Sequence, residues 1–333
     1  MTGLIFKLAA IGFAGIFAQW AAWRIRIPAI ALLFAAGFLL GPVTGFLNPA
    51  EDLGAVYKPM IALAVAIILF EGGLTLNFHE INETAKGIRR IIFLGGPLVW
   101  LFSTLSAHYG AGLSWPAATI LGAIFVITGP TVIMPLLRQA QLAKRPASLL
   151  RWEAIINDPI GALYAVFAFE VFLVLHGHHE AGNLAVTLIA AAVFAVFGGW
   201  LLGKLVAIAF IRALVPEFLK APVLLSVVLL AYAVSDLILE ESGLLTVTVM
   251  GVTLANQRMA SLTEMRRFKE TITILLVSGL FILLTASFDV SVLKSLGWQA
   301  ALFVALILFV ARPAAILLAT IGSGLNFRER TGT

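Results

Sequence analysis

The sequence predicts an all-α polytopic membrane protein, and three observations carry that prediction. Hydrophobic residues make up 61% of the chain and charged residues 12%, against ~45–50% and ~25% in soluble domains. The apolar residues fall in runs long enough to cross a bilayer. Basic residues gather in the links after alternate runs. A soluble fold of 333 residues has too little interior to hide that much apolar surface, so the bilayer must act as the solvent. The mean hydropathy of +1.04 and the 24 Phe agree.

About 20 apolar residues cross ~30 Å of hydrocarbon. The pattern gives eleven spans, over 3–23, 28–47, 58–77, 87–109, 114–138, 148–176, 184–212, 221–239, 243–257, 271–288 and 298–320. The ninth is short and the sixth long. The first carries Lys7 inside its apolar run and lacks a small-residue cleavage site, so it reads as a retained span rather than a signal peptide.

Seventeen Lys and Arg lie in the links after odd-numbered spans, against two, Lys58 and Lys294, on the other side. Lys7, Lys204 and Arg312 fall within spans. Basic loops stay in the cytoplasm. The N-terminus is therefore expected outside and the C-terminus inside, in the cell inner membrane. The net charge of +5 serves orientation and points to no nucleic acid. Trp23, Trp115, Trp152 and Trp298 fall at span ends, where an interfacial aromatic belt belongs. Cys is absent, which excludes disulfides and thiolate metal sites. No cofactor is implied.

An ionisable group at membrane depth costs roughly 2.5–3.5 kcal/mol on insertion scales, so each one needs a reason. Glu71, Glu153, Asp158, Glu170, Asp236 and Arg312 qualify. Asp236, Glu240 and Glu170 lie toward outer span ends, where reaching the headgroups is reason enough. Asp158 sits roughly 15 Å into its span at 1.5 Å per residue, near the midplane. Only a built cavity brings water there.

The stretch from Arg151 to Pro159 places Glu153 and Asn157 four residues apart on one helix face. Asp158 is turned ~100° from Asn157. Pro159 has no amide hydrogen and frees the carbonyl of Ile155. A carboxylate beside unwound backbone offers oxygen ligands to a hard monovalent cation, and it can take a proton instead. A site that holds one or the other, never both, is an exchanger. In span five, Gly129 and Pro130 break the helix midway, the best sequence pointer to a transporter site. Thr128 and Thr131 add hydroxyl or carbonyl ligands. An ordinary proline kink explains the same residues.

Arg312 lies deep in span eleven beside Pro313, and a fixed positive charge there requires a buried carboxylate. Glu153 is the expected partner, which leaves Asp158 free to titrate. Glu71, in Phe70 to Leu74, either lines an inward cavity or snorkels from its span end. His176, His178, His179 and Glu180 read as a solvated loop tip rather than a metal cluster.

These residues carry a resemblance. Leu69 to Leu74, the broken segment at Thr128 to Pro130, and above all Glu153 to Asp158 with its Asn-Asp pair resemble the monovalent cation/proton antiporters. The similar branch is the electroneutral one of prokaryotic sodium/proton antiporters and animal sodium/proton exchangers. The resemblance covers essentially the whole chain. It implies an inverted-repeat fold with broken crossing helices, a dimerisation region and a mobile core giving alternating access. The first repeat is then 1–176, with a linker helix over 184–212 and an incomplete second repeat over 221–333. It implies Asp158 as carrier, Asn157 as its support, Glu71 and Thr128 near the ion, a Glu153–Arg312 pair and a homodimer. The transported ions are Na⁺, Li⁺ or K⁺ against H⁺, and Asn157 ahead of the carrier implies one-for-one exchange.

Two departures matter. Gly129 stands where the family usually has an acidic residue, and Ala154 where a serine is frequent, so K⁺ stays open beside Na⁺. The resemblance also implies about two spans beyond these eleven, including a second broken helix. Residues 1–333 are accordingly expected not to catalyse exchange alone. The small-residue spans from Pro28 to Gly41 and from Gly243 to Ala255 are a faint trace of the repeat. A cation channel and a non-transporting fragment remain competing readings. An intramembrane aspartyl protease needs a second aspartate in a Gly-x-Gly-Asp setting, which the sequence lacks.

Overall fold

The computed structural model describes all residues except 1, 77, 79–84, 130–132, 134–136, 138–143, 176–183, 258–261, 292–296 and 324–333. The described residues form helices and connecting turns, with no strand. In chain order they are α1 (Thr2–Ile25), α2 (Ala29–Phe38), the short α3 (Pro49–Leu53), α4 (Tyr57–Leu74), α5 (Ala85–Arg90), α6 (Gly96–Ala111) and α7 (Trp115–Ile124). Then come α8 (Lys144–Leu175), α9 (Leu184–Ile211), α10 (Glu217–Asp236), α11 (Ser242–Ala255), α12 (Leu262–Ala286), α13 (Trp298–Leu306) and α14 (Arg312–Ala319). One π-helical turn joins α5 to α6 and another joins α13 to α14.

Each of the eleven predicted spans has a helix. Seven are long and apolar enough to cross a membrane, and four are shorter apolar helices. The short ones have physical reasons. Regular helix in α7 stops at Ile124, earlier than the predicted break, and Val126 and Ile127 bond back three residues to Ala123 and Ile124. Gly129 then turns left-handed with φ 59°. The 14 residues of α11 reach only about 21 Å. By contrast α12 begins at Leu262, well before 271, because its first turns are charged and a hydropathy window cannot see them.

The helices sort into two units. In one, α11 packs on α9, α4 and α10, while α12 packs on α1, α2 and α4. In the other, α6 and α7 pack on each other, α7 on α8, and α13 and α14 on α6. The units meet along α8, which lies against α4 and α11. Large side chains such as Phe13, Phe17, Phe197 and Leu205 stay exposed on the outside, as a lipid-facing surface requires.

Lipid is as apolar as leucine, so close backbone approach rather than burial holds such helices together. The crossing of α4 on α11 shows how. A Cβ added to Gly73 would lie 2.6 Å from Thr248 O and 3.2 Å from Gly251 Cα, and one on Gly251 would run into Phe70 O. Gly251→Ala is therefore expected to lower the detergent melting temperature through roughly 1–3 kcal/mol of overpacking. Gly198→Ala on α9, where nothing lies within 4 Å, should leave it unchanged or raise it. Equal effects of the two would rule out the packing account.

One aromatic sits elsewhere than predicted. Trp23 and Trp298 are 75% and 73% exposed, as interface anchors are, but Trp152 is 6% exposed. It packs in an apolar cluster with Leu76, Leu149, Ile155 and Val252. The sequence placed it at a span end, and α8 continues past that point to Lys144.

Candidate functional site

The long helix α8 positions most of the predicted site. Pro159 lies inside it, and because proline brings no amide hydrogen, the Ile155 carbonyl loses its helical donor. Glu153 and Asn157, one turn apart, are 5% and 3% exposed and form its buried face. Asp158, turned from them, opens into a cavity of about 490 Å³. Asp158, Ala162, Ala165, Val166, Phe169 and Glu170 supply its α8 wall. Their spacing of three, four, seven and eight residues marks a single helical stripe.

The opposite wall comes from the other unit. Val65 of α4 and Glu240, Glu241 and Leu244 at the start of α11 face the stripe. The cavity therefore lies in the seam between the units, with Asp158 at one end and a group of glutamates at the other. Glu240 and Glu170, which the sequence placed at span ends, are cavity residues. Asp236 accepts a hydrogen bond from the Glu241 amide at 2.8 Å and so shapes the turn that presents Glu240 and Glu241.

The broken segment after α7 also reaches the cavity, through Ile127. It comes close because of Gly161, a residue the sequence reading passed over. A Cβ there would meet Ile127 Cγ1 at 2.7 Å and Ile127 N at 3.2 Å. Glycine three residues after the carboxylate lets unwound backbone lie against α8 beside Asp158. A small residue at that spacing from an intramembrane Asp was the available signal. Thr128 Oγ1 and Asn157 Oδ1 are buried and make no hydrogen bond among the described residues. Both are oxygens without a donor, the kind of group a cation or its water satisfies. Pro130 and Thr131 lie outside the described residues.

Arg312 begins α14 directly after a π-helical turn, and its Nη2 lies 3.6 Å from Glu153 Oε1. The side chains are 32% and 6% exposed, so the carboxylate is the buried partner. Arg90 donates from Nε to Ala319 O at 3.1 Å and so holds the far end of α14. Glu71 is half-buried near the end of α4 and does not line the cavity, whose walls lie toward the other end of the seam. Its neighbours Gly72 and Gly73 serve packing, against Ile155 and α11. Residues 176–180 lie outside the described residues, and no group of three His, Cys, Asp or Glu suited to a metal occurs among the described ones.

A family profile described as sodium/hydrogen exchanger, transmembrane, matches residues 11–332. The chain belongs to that family. It is 25% identical over 318 residues to Na(+)/H(+) antiporter 1 of Methanocaldococcus jannaschii, covering 92% of this chain and 74% of that one. It is 26% identical over 301 residues to the K(+)/H(+) antiporter NhaP2 of Shewanella sp. (strain MR-4), covering 89% of this chain and 51% of that one. The solved structure of the sodium proton antiporter MjNhaP1 from Methanocaldococcus jannaschii at pH 8 superposes with a TM-score of 0.84 at 23% identity. That match covers 99% of this chain and 81% of the other. The fold is therefore that of the exchanger family.

Proposed function

We propose that the chain forms the carrier region of a secondary transporter that exchanges Na⁺ for H⁺, one for one, with Asp158 as the shared carrier of both. The observation that carries this reading is the position of Asp158. It lies near the middle of α8, directly before Pro159, and opens into the cavity between the two helical units beside the broken segment after α7. A cation there gains the carboxylate charge and backbone oxygens, and a proton displaces it. Asn157 and Thr128 supply the surrounding oxygens, and Gly129 and Pro130 the break. The Glu153–Arg312 pair fixes α14 against α8. The expected setting is the plasma membrane, as a homodimer. Reconstitution of the full-length protein with a pH gradient, and comparison of its dissipation by Na⁺, Li⁺ and K⁺, tests the reading. Equal dissipation without added cation would show a proton leak and refute it.

K⁺ is the second reading, and Gly129 favours it. Without an acidic side chain there, the site holds a larger, more weakly hydrated ion at lower cost. The NhaP2 relatives are named as K⁺/H⁺ antiporters, which agrees. The same ion comparison decides between the two.

Orientation belongs to this reading as well. The basic links are expected in the cytoplasm, and the cavity then opens outward through Glu170, Glu240 and Glu241. A single cysteine at Ala213, exposed after α9, should resist an impermeant thiol reagent in intact cells. One at Ser291, exposed after α12, should react. The reverse pattern would overturn the orientation.

A further inference from the structure

Asp158 is open toward one end of the seam and closed toward the other, and the closure has identifiable parts. Ile155, about one turn from Asp158, is fully buried, and a Cβ on Gly72 of α4 would stand 3.4 Å from its Cγ1. Next along α8 come Trp152 and Leu149, 6% and 1% exposed, clustered with Leu76 and Val252. Leu76 and Val252 belong to the other unit. The plug thus spans the seam on the basic side of Asp158, as the cavity spans it on the opposite side.

What fixes the far half of this plug is one amide side chain. After α4 the backbone tightens, with Thr75 and Leu76 bonding back three residues to Gly72 and Gly73. Asn256, at the end of α11, supplies partners beyond that point. Its Nδ2 donates to Leu76 O at 3.0 Å and to Val252 O at 2.7 Å. Its Oδ1 accepts from the Phe78 amide at 2.8 Å. The Phe78 ring then lies on Trp152 with centroids 5.6 Å apart and planes at 32°. Trp152 directly precedes Glu153 on α8, so the contact ties the clasped segment to the helix that carries the site.

We propose that Asn256 is a positioning residue that clasps the chain at Leu76 and Phe78, so that these close over Trp152 and seal the basic-side route to Asp158. The proposal rests on the reading of Asp158 as the carrier. An apolar constriction of this kind excludes hydrated ions. Reaching Asp158 from the basic side requires the Phe78–Trp152 contact to part. The clasp is internal to one unit and the ring contact crosses to the other. Loss of either therefore shifts the population toward the state open on the basic side.

The sequence has no cysteine, so introduced thiols report alone. Ile155→Cys and Ala162→Cys are placed separately in the full chain and exposed to an impermeant maleimide in vesicles of both orientations. With Asn256 intact, Ala162→Cys should label from the side opposite the basic links and Ile155→Cys from neither. Adding Asn256→Ala, or independently Phe78→Ala, should raise labelling of Ile155→Cys from the basic side roughly tenfold and lower that of Ala162→Cys. Phe78 is half exposed, so its truncation should leave the fold intact even where the Asn256 change does not. Labelling of Ile155→Cys from both sides would indicate loosened packing rather than a seal and would overturn the proposal. Unchanged labelling in the folded Phe78→Ala variant would overturn it too. Repeating the measurement with Asp158→Asn separates the two readings, because the labelling pattern does not depend on the carrier carboxylate whereas exchange does.

Discussion

Asp158→Asn is expected to reduce cation-dependent proton flux in the reconstituted full-length protein to the level of protein-free liposomes. The substitution keeps the shape of the side chain and removes both the titrating group and the charge that a cation meets in the cavity. The same change should abolish stabilisation by the transported ion. A ligand that binds only the folded state raises stability by RT ln(1 + [L]/Kd), about 2.7 kcal/mol at 100 times Kd. The parent should therefore melt higher as Na⁺ or K⁺ is added, and the variant should not. Stability without added cation should be equal or greater in the variant, because a carboxylate at membrane depth is costly. Retained exchange, or an ion-dependent melting shift of parental size, would remove Asp158 from the carrier role.

Arg312→Gln is expected to destabilise the fold more than Glu153→Gln does. Breaking a buried pair costs on the order of 3–5 kcal/mol because an uncompensated charge is left behind. The two partners are buried unequally: the Glu153 side chain is 6% exposed and that of Arg312 32%. Removing the arginine strands the carboxylate in the interior. Removing the carboxylate leaves a guanidinium that still reaches polar surroundings. The order of melting temperatures should be parent, Glu153→Gln, then Arg312→Gln. The double variant should recover part of the loss, as coupled sites do. Strictly additive losses, or the opposite order of the single variants, would show that the contact is not what holds α14 against α8.

Much of the site was legible because membrane insertion leaves a one-dimensional trace. Asp158 stands out through its depth within an apolar run, and depth is counted along a single helix. Arg312 demanded a buried carboxylate for the same reason, and the structure places Glu153 within 3.6 Å of it. The break near Thr128 was visible through Gly129 and Pro130, although the helix ends earlier, at Ile124, because the chain tightens into three-residue bonds ahead of the glycine.

Other features depended on which helices meet. Glu170 and Glu240 carry the same local signal as any span-end glutamate, and only the packing of α8 across from the start of α11 makes them walls of one cavity. Trp152 looks like an interface anchor until α5, α11 and the chain after α4 close around it. Gly161 and Gly72 look like any small residue in a membrane helix, and their role appears with the backbone or side chain that each admits. The sequence by itself determined the solvent, the number of apolar helices and the place of each charge along them, since these follow from transfer free energies summed along the chain. The tertiary structure alone decided which charges share a cavity and which end of the seam is shut. Those outcomes rest on contacts between helices far apart in sequence, and close packing between apolar surfaces leaves no mark on hydropathy.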